Sequence, residues 1–457
     1  MHDLTKGPIA GHIARMAAPI AAGMIFQTMY YLVDLYFVAQ LGGTAIAGVS
    51  AAGNVQFIIM ALTQVLGVGT MVLISHAAGR KDREDANLIY NQSLLMAAVC
   101  GAITLIAGFG LSRWYLGTIS ADAATREAGM AYLQWFTPGM ALQFALVSMG
   151  SALRGTGIAK PTMVVQMLTV VLNAALAPVL IAGIGTGRPM GVAGAGLAST
   201  IAVVVGVVLM FVYFERLEKF VGFDATLFKP RLTAWKRVLK IGLPAGGEFA
   251  LMFLYMAVVY YSIRAFGPEA QAGFGVGGRV MQAVFLPAMA IAFAAAPIAG
   301  QNFAAGLHDR ARKTFGTAVL FGTSIMLLLT LLIQLEAENM VGFFTKDAAV
   351  LGVATGFLHI ISFNFVATGV IFTCSSMFQA LGNTLPSVIS SATRLATFAI
   401  PAVYLSARPG FQIRHVWFLS VATVAFQLLV SLLLLRREFR RKLGSPAPGL
   451  APSPAGA

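Results

Sequence analysis

Twelve stretches of the chain are almost continuously apolar, near residues 14–39, 47–75, 88–112, 128–151, 161–184, 192–214, 239–264, 270–300, 314–334, 350–378, 384–405 and 415–435. Most reach about 20 residues, the length at which a helix crosses the hydrocarbon of a bilayer. Short polar segments separate them. The pattern predicts an all-α integral membrane protein with about 12 transmembrane helices. Pro287 and Pro297 fall inside the eighth stretch and Pro401 inside the eleventh. Such breaks are tolerated where neighbouring helices or a cavity satisfy the freed backbone groups.

The pattern repeats. At an offset of 225, Pro19 matches Pro244, Gly42 matches Gly267, Gly48 matches Gly273 and Gly53 matches Gly278. Ser151, Gly157 and Pro161 match Ser376, Gly382 and Pro386 at the same offset, and Asp82-Arg83 matches Asp309-Arg310 at 227. Six helices return each half to its starting side, so the halves are parallel repeats about a pseudo-two-fold axis along the membrane normal. The expected organisation is a six-helix lobe over 1–214, a charged, hinge-like connector over 215–238, a second lobe over 239–442 and a disordered tail over 443–457.

Composition removes other classes. The 457 residues are 58% hydrophobic and 11% charged, against about 25% charged in soluble domains. The 48 Gly suit helices packed backbone to backbone. A net charge of +14 would suit nucleic acid, but the basic residues are scattered over short loops with no aromatic-interleaved basic domain. With the N-terminus cytoplasmic, twenty-two of the 31 Lys and Arg residues fall on that side and seven on the other, leaving Arg279 and Arg394 within spans. The positive-inside rule therefore places both termini in the cytoplasm. Cys100 and Cys374 lie in apolar runs, which suggests neither a disulfide framework nor a metal site. The first stretch is too long for a signal peptide and reads as the first span. No HExxH, paired-aspartate cluster or Ser/His constellation suggests an enzyme.

Candidate chemistry sits on two acids. Only Asp34 and Glu248 lie well inside apolar stretches, where a carboxylate costs about 2.5–3.5 kcal/mol to insert. Asp34 lies about 8 Å from the outer end of its helix, among Tyr30, Tyr31 and Tyr36. It is either a proton or cation switch or a solvated interfacial carboxylate. Glu248 follows Pro244 by one turn. It either binds a cation or substrate or forms a structural ion pair with Arg394. Arg279 either snorkels outward or pairs with a cavity group. Gln27, Tyr30, Tyr31, Asn54, Gln282 and Asn364 are candidate cavity residues, with interhelical packing as the alternative role for each.

Several segments together resemble the multidrug and toxic compound extrusion (MATE) transporters, in their DinF-like and NorM-like bacterial branch. They are Val33-Asp34-Leu35-Tyr36-Phe37-Val38-Ala39-Gln40-Leu41-Gly42, Leu153-Arg154-Gly155-Thr156-Gly157 with Lys160-Pro161-Thr162, Asn173 with Pro178, Gly191 to Thr200, and Ala299-Gly300-Gln301-Asn302. The resemblance covers the chain up to Lys442. It implies a coupling site of Asp34, Asn173 and Thr200. It also marks departures: Ala177 and Gly150 stand where relatives often carry Asp and Asn, and Val370 stands where sodium-coupled relatives carry an acid. The seventh-helix glutamate of those relatives falls about one turn beyond Glu248. A hard cation needs a nearly complete oxygen shell, whereas a proton needs one carboxylate, so coupling to H+ is expected ahead of Na+. The resemblance thus implies a monomeric, non-enzymatic antiporter of the bacterial inner membrane, without cofactor or nucleic-acid partner. It would exchange protons for small cationic amphipathic molecules by alternating access of two lobes. The alternative is a lipid or lipid-linked oligosaccharide flippase, which would want a cationic cavity where only Arg279 and Arg394 are available.

Overall fold

A computed structural model describes residues 2–120, 122–185, 187–406 and 408–444. Its long helices are α1 (Ile9–Ala39), α2 (Gly43–Gly79), α3 (Arg83–Ile119), α4 (Ala123–Gly155), α5 (Lys160–Ala182) and α6 (Val192–Arg216) in the first half. The second half holds α7 (Leu232–Ile263), α8 (Pro268–Ala304), α9 (His308–Gly342), α10 (Ala348–Ile361), α11 (Phe365–Ala380), α12 (Leu385–Ser406) and α13 (Ile413–Leu443). α10 and α11 form one span joined by a 3-10 turn, so among the described residues 12 helical segments are long and apolar enough to cross a membrane. The helices outrun the apolar stretches because polar turns continue them beyond the slab, as at Arg83–Asn91 of α3.

The repeat is visible in the helices themselves. α4 and the α10–α11 span begin 225 residues apart, as do α5 and α12. Within the first half α4 packs against α2, α3 and α6; across the halves α2 packs on α7 and α8, and α1 on α8. The expected connector proves shorter and tighter than 215–238. α6 continues to Arg216 and α7 starts at Leu232, because the basic segment before Lys240 is itself helical. The intervening chain is fastened to α3 instead of swinging free. Asn91 Nδ2 donates to Gly222 O at 3.0 Å, and Gln92 Nε2 donates to Leu227 O and Lys229 O at 2.7 Å each. Of the expected tail, Leu443 closes α13, and residues 445–457 lie outside the described residues.

The first and last described residues lie at one end of the bundle, where Arg310 donates to Gly7 O and Arg312 to Gly444 O, and there the halves are clamped together. His76 at the end of α2 donates from Nε2 to the carbonyl of Ala380, the last residue of α11, at 2.7 Å. Gln301 at the end of α8 donates from Nε2 to the carbonyl of Gly155, the last residue of α4, at 2.9 Å. Donors and acceptors are each 225 positions apart, so the two bonds are copies related by the pseudo-two-fold. The N-terminal segment threads between them: Leu4 N donates to Gln301 Oε1 at 3.1 Å, and Asn302 Nδ2 returns a bond to Leu4 O at 3.1 Å. Glycine makes the approach possible. A Cβ on Gly242 would stand 1.9 Å from Val65 O, and one on Gly79 would stand 2.2 Å from Gln301 O.

The clamp predicts a crosslink. A Cβ built on Gly300 lies 3.3 Å from that of Ser75, close to the range a disulfide spans. The pair Ser75→Cys and Gly300→Cys, with Cys100→Ala and Cys374→Ala, should lose its free thiols under mild oxidation, as read by mass spectrometry. Persistence of both thiols would show that these faces do not meet.

Candidate functional site

Beyond the clamp, the stripes that touch across the halves run on into exposed positions, which outline a cleft between the halves. On α2, Ala61 and Val65 face Gly246 and Gly242 of α7. The helical period carries the same stripe up to Ile58 and Asn54, both exposed. On α8, Gly300 faces Ser75, and the period returns at Gln282 with Arg279 beside it, again exposed. On α1, Ile13 and Ile20 pack with α8 residues, and seven-residue steps lead to Gln27 and then to Tyr31 alongside it, both exposed. Phe57 of α2 meets Phe253 of α7 with ring centres 5.2 Å apart, at the floor of the opening. Gln27, Tyr31, Asn54 and Gln282 thus lie at exposed positions that continue the stripes along which the halves meet. Neither acid stands on these stripes.

Asp34 instead turns into the first half and is 7% exposed. Tyr132 of α4 donates to its Oδ2 at 3.1 Å, and Ser199 of α6 lies beside it. Tyr30, one turn earlier, is close to Ser199 and to Asn173 of α5. Five polar atoms here are buried without a hydrogen-bond partner among the described residues: Asp34 Oδ1, Tyr30 Oη, Ser199 Oγ, and both Oδ1 and Nδ2 of Asn173. Such groups are costly in an apolar interior. Concentrated around one carboxylate, they form a polar chamber in which a proton, a water or a small cation could be held.

The second half shows what this chamber displaces. At the 225 offset Tyr30 corresponds to Tyr255, Asp34 to Val259, Tyr132 to Phe357 and Asn173 to Phe398. α6 and α13 begin 221 apart, which aligns Ser199 with Ser420. Tyr255 Oη and Ser420 Oγ are hydrogen-bonded at 2.8 Å. Val259, Phe357 and Phe398 fill the rest of the space as a closed apolar core, with Tyr255 and Phe398 ring centres 4.9 Å apart. The same helix packing is therefore achieved without an acid. Tyr132 and Ser199 were not among the residues expected from sequence; the mismatch between halves at residues 132 and 357 is the signal that would have found Tyr132.

Several expected roles are corrected. Thr200 faces α4 rather than Asp34. Its Oγ1 donates to Trp135 O at 2.5 Å and accepts from Gly139 N at 3.2 Å, bridging two groups that would bond each other in an unbroken helix. Pro138 stands between them, so the hydroxyl repairs a kink. Tyr30 belongs to the buried chamber and not to the cleft wall. Asn364 lies in the 3-10 turn between α10 and α11, 4% exposed, inside the second half. The Glu248–Arg394 pair does not form. Ser375 Oγ donates to Glu248 Oε1 at 2.8 Å and Ser387 is adjacent, whereas Arg394 stacks on Tyr255 with Cζ 4.1 Å from the ring centre. The reason is register: Arg394 follows Ser387 by seven residues, as Tyr255 follows Glu248, which separates the charges by about 10 Å along the helices.

If the chamber is not needed for folding, copying the second half into the first should stabilise the protein. Asp34→Val with Tyr132→Phe should raise the melting temperature in detergent, since an unsatisfied buried polar group costs about 1–3 kcal/mol. A lower melting temperature would instead make the cluster part of the fold's support.

Comparison with known proteins agrees with this architecture. The MatE family model matches residues 19–179 and again residues 244–405, two copies whose starts are 225 apart. Among curated relatives, the probable multidrug resistance protein YoeA of Bacillus subtilis (strain 168) is 25% identical over 417 residues, 90% of each chain. The multidrug export protein MepA of Staphylococcus aureus (strain N315) is 25% identical over 386 residues, 84% of each chain. A FAD transporter of Shewanella oneidensis is 22% identical over 407 residues, 88% of this chain and 89% of the relative. Among solved structures, a MOP superfamily transporter from Pyrococcus furiosus superimposes with a TM-score of 0.88 at 25% identity, covering 96% of this chain and 98% of that one. An outward-facing multidrug resistance MATE transporter gives 0.89 at 24% identity, covering 97% and 98%. Twelve spanning helices, a matched pair of halves and a family model that covers most of both assign this chain to the MATE family of multidrug efflux transporters, within the MOP superfamily.

Proposed function

We propose that the protein is a secondary antiporter that exports small amphipathic molecules from the cytoplasm in exchange for protons taken up at Asp34. The observation that carries this reading is the unequal pair of cores: Asp34, Tyr132 and Asn173 in one half against Val259, Phe357 and Phe398 in the other. Packing requires no acid at that place, so its presence is best explained by what its ionisation does.

In this reading the termini are cytoplasmic, as the loop charges favour, and the clamped end faces inward while the cleft opens to the outside of the bacterial inner membrane. Each chamber atom has a task. Protonating Asp34 removes a charge and supplies a donor that Asn173 Oδ1 or Ser199 Oγ can accept. Deprotonation leaves a carboxylate with only Tyr132 donating to it, which favours a rearrangement that brings Tyr30 or Asn173 Nδ2 into contact. Two packings of α1 against α4, α5 and α6 would follow from one proton, and α1 forms part of the cleft wall. The chamber favours H+ over Na+ because Ala177, one turn beyond Asn173, supplies no side-chain oxygen toward a cation shell; Gly150, which lies against Thr162, stands outside it. A monomer suffices, since the cleft lies between halves of one chain. The expected preference for cations finds no carboxylate on the cleft stripes.

The test is efflux from proteoliposomes under separately imposed pH and sodium gradients. Wild type should move a fluorescent amphipathic dye on the pH gradient alone, and Asp34→Asn should lower that flux at least about a hundredfold, by analogy with the loss of an essential proton-transfer group. Undiminished pH-driven flux in Asp34→Asn would remove the proposed role.

A further inference from the structure

Arg279 stands apart from every other charge inside the bundle. It lies eleven residues into α8 from Pro268, about 16 Å below the outer end of that helix. It is exposed on the cleft-facing side, and no hydrogen bond, ion pair or ring contact among the described residues engages it. Arg264, the nearest arginine along the chain, caps α7 at the rim and is stacked on Tyr261 with Cζ 3.9 Å from the ring centre. Arg394 is held within the second half by Tyr255.

The repeat makes the position informative. Arg279 corresponds to Asn54 at the 225 offset, each following a glycine, Gly278 and Gly53. Asn54 lies eleven residues into α2 from Gly43, so the two side chains stand at the same depth on opposite walls. The fold accepts a neutral amide there, and on one wall carries a guanidinium instead. Gln27, Tyr31, Phe57 and Gln282 are the exposed amides and aromatics of the same opening, and none carries a fixed negative charge. A guanidinium presents a planar fork of N–H donors that suits a carboxylate or phosphate.

We propose that the cleft selects amphipathic aromatic molecules bearing one anionic group, a carboxylate or a phosphate, and that Arg279 is the residue that binds that group. Asn54 contributes hydrogen bonds from the facing wall, and Tyr31 and Phe57 receive the aromatic body. This deepens the export reading and rests on it for the identity of the cleft as the substrate path. It departs from the cationic preference expected from sequence. A single cationic anchor also suits one anionic group better than the pyrophosphate of a lipid-linked oligosaccharide.

The experiment compares two dyes that share a xanthene ring and differ in charge: polyanionic carboxyfluorescein, whose aryl carboxylates offer the group proposed to bind, and cationic rhodamine 6G, which has none. Binding to the purified full chain in nanodiscs is read by fluorescence polarisation, with no ion gradient. Wild type should bind carboxyfluorescein more tightly, and Arg279→Asn should weaken that dye by about tenfold or more, the scale of a lost charge-assisted hydrogen bond, while leaving rhodamine 6G unchanged or tighter. Arg279→Lys should retain part of the difference. Asn54→Arg combined with Arg279→Asn moves the charge to the symmetry-related wall and should restore carboxyfluorescein binding. Equal weakening of both dyes by Arg279→Asn, or a wild-type preference for rhodamine 6G, would overturn the proposal. Because binding is measured without a gradient, failure of proton coupling at Asp34 would leave these outcomes readable, and loss of dye selectivity would leave the coupling test intact.

Discussion

An apolar helix bundle gives a stray polar atom little access to bulk water, and that constraint organises this structure. Each polar side chain inside the halves must find a partner, repair a break in the backbone or incur the cost of having none. Thr200 and its counterparts do the second. It bridges the kink at Pro138 in the first half, while Gln334 donates to His359 O at 2.8 Å beside the 3-10 turn in the second. The chamber around Asp34 does the third. Five unpartnered atoms in one place are tolerated in a lobe whose twin fills the same volume with Phe357 and Phe398.

The pseudo-two-fold frame therefore serves as an internal control. Positions retained in both halves, such as Pro19 with Pro244 or Gly48 with Gly273, are those that helix packing uses. A Cβ on Gly48 would lie 2.7 Å from Ala128 Cβ, and one on Gly273 would lie 2.6 Å from Val353 Cβ, so each glycine admits a neighbouring helix in its own half. Positions that differ in polarity point elsewhere: Asp34 against Val259, Tyr132 against Phe357, and Asn54 against Arg279. Chemistry has been placed on a symmetric scaffold by breaking its symmetry at a few points.

Much of this was legible in the sequence. The spans, the repeat and its offset follow from apolar run length and from glycines and prolines at fixed spacing, which are local signals. Asp34 stood out because a lone carboxylate in an apolar helix is conspicuous. What was not legible depends on rotation and register. Thr200 and Ser199 are adjacent in sequence but about 100° apart around α6, enough to turn one to α4 and the other to Asp34. Glu248 and Arg394 looked level when counted from the edges of their apolar stretches. α7 in fact begins at Leu232, in a basic segment that reads as connector, so the edges gave no common origin. Asn364 read as a cavity residue because the 3-10 turn that tucks it inward leaves no mark on hydropathy.

The reciprocal bonds at the terminal end carry a thermodynamic consequence. His76 and Gln301 both grip the carbonyl that ends a helix, where the chain is already leaving the lipid. In the proposed alternation the halves would tilt apart, exposing these four groups at a wet boundary where water can replace each bond at nearly equal free energy. The latch therefore resists motion by geometry more than by depth of attraction. A latch of that kind would let a few kcal/mol of differential binding decide between states, within reach of a single small ion or solute.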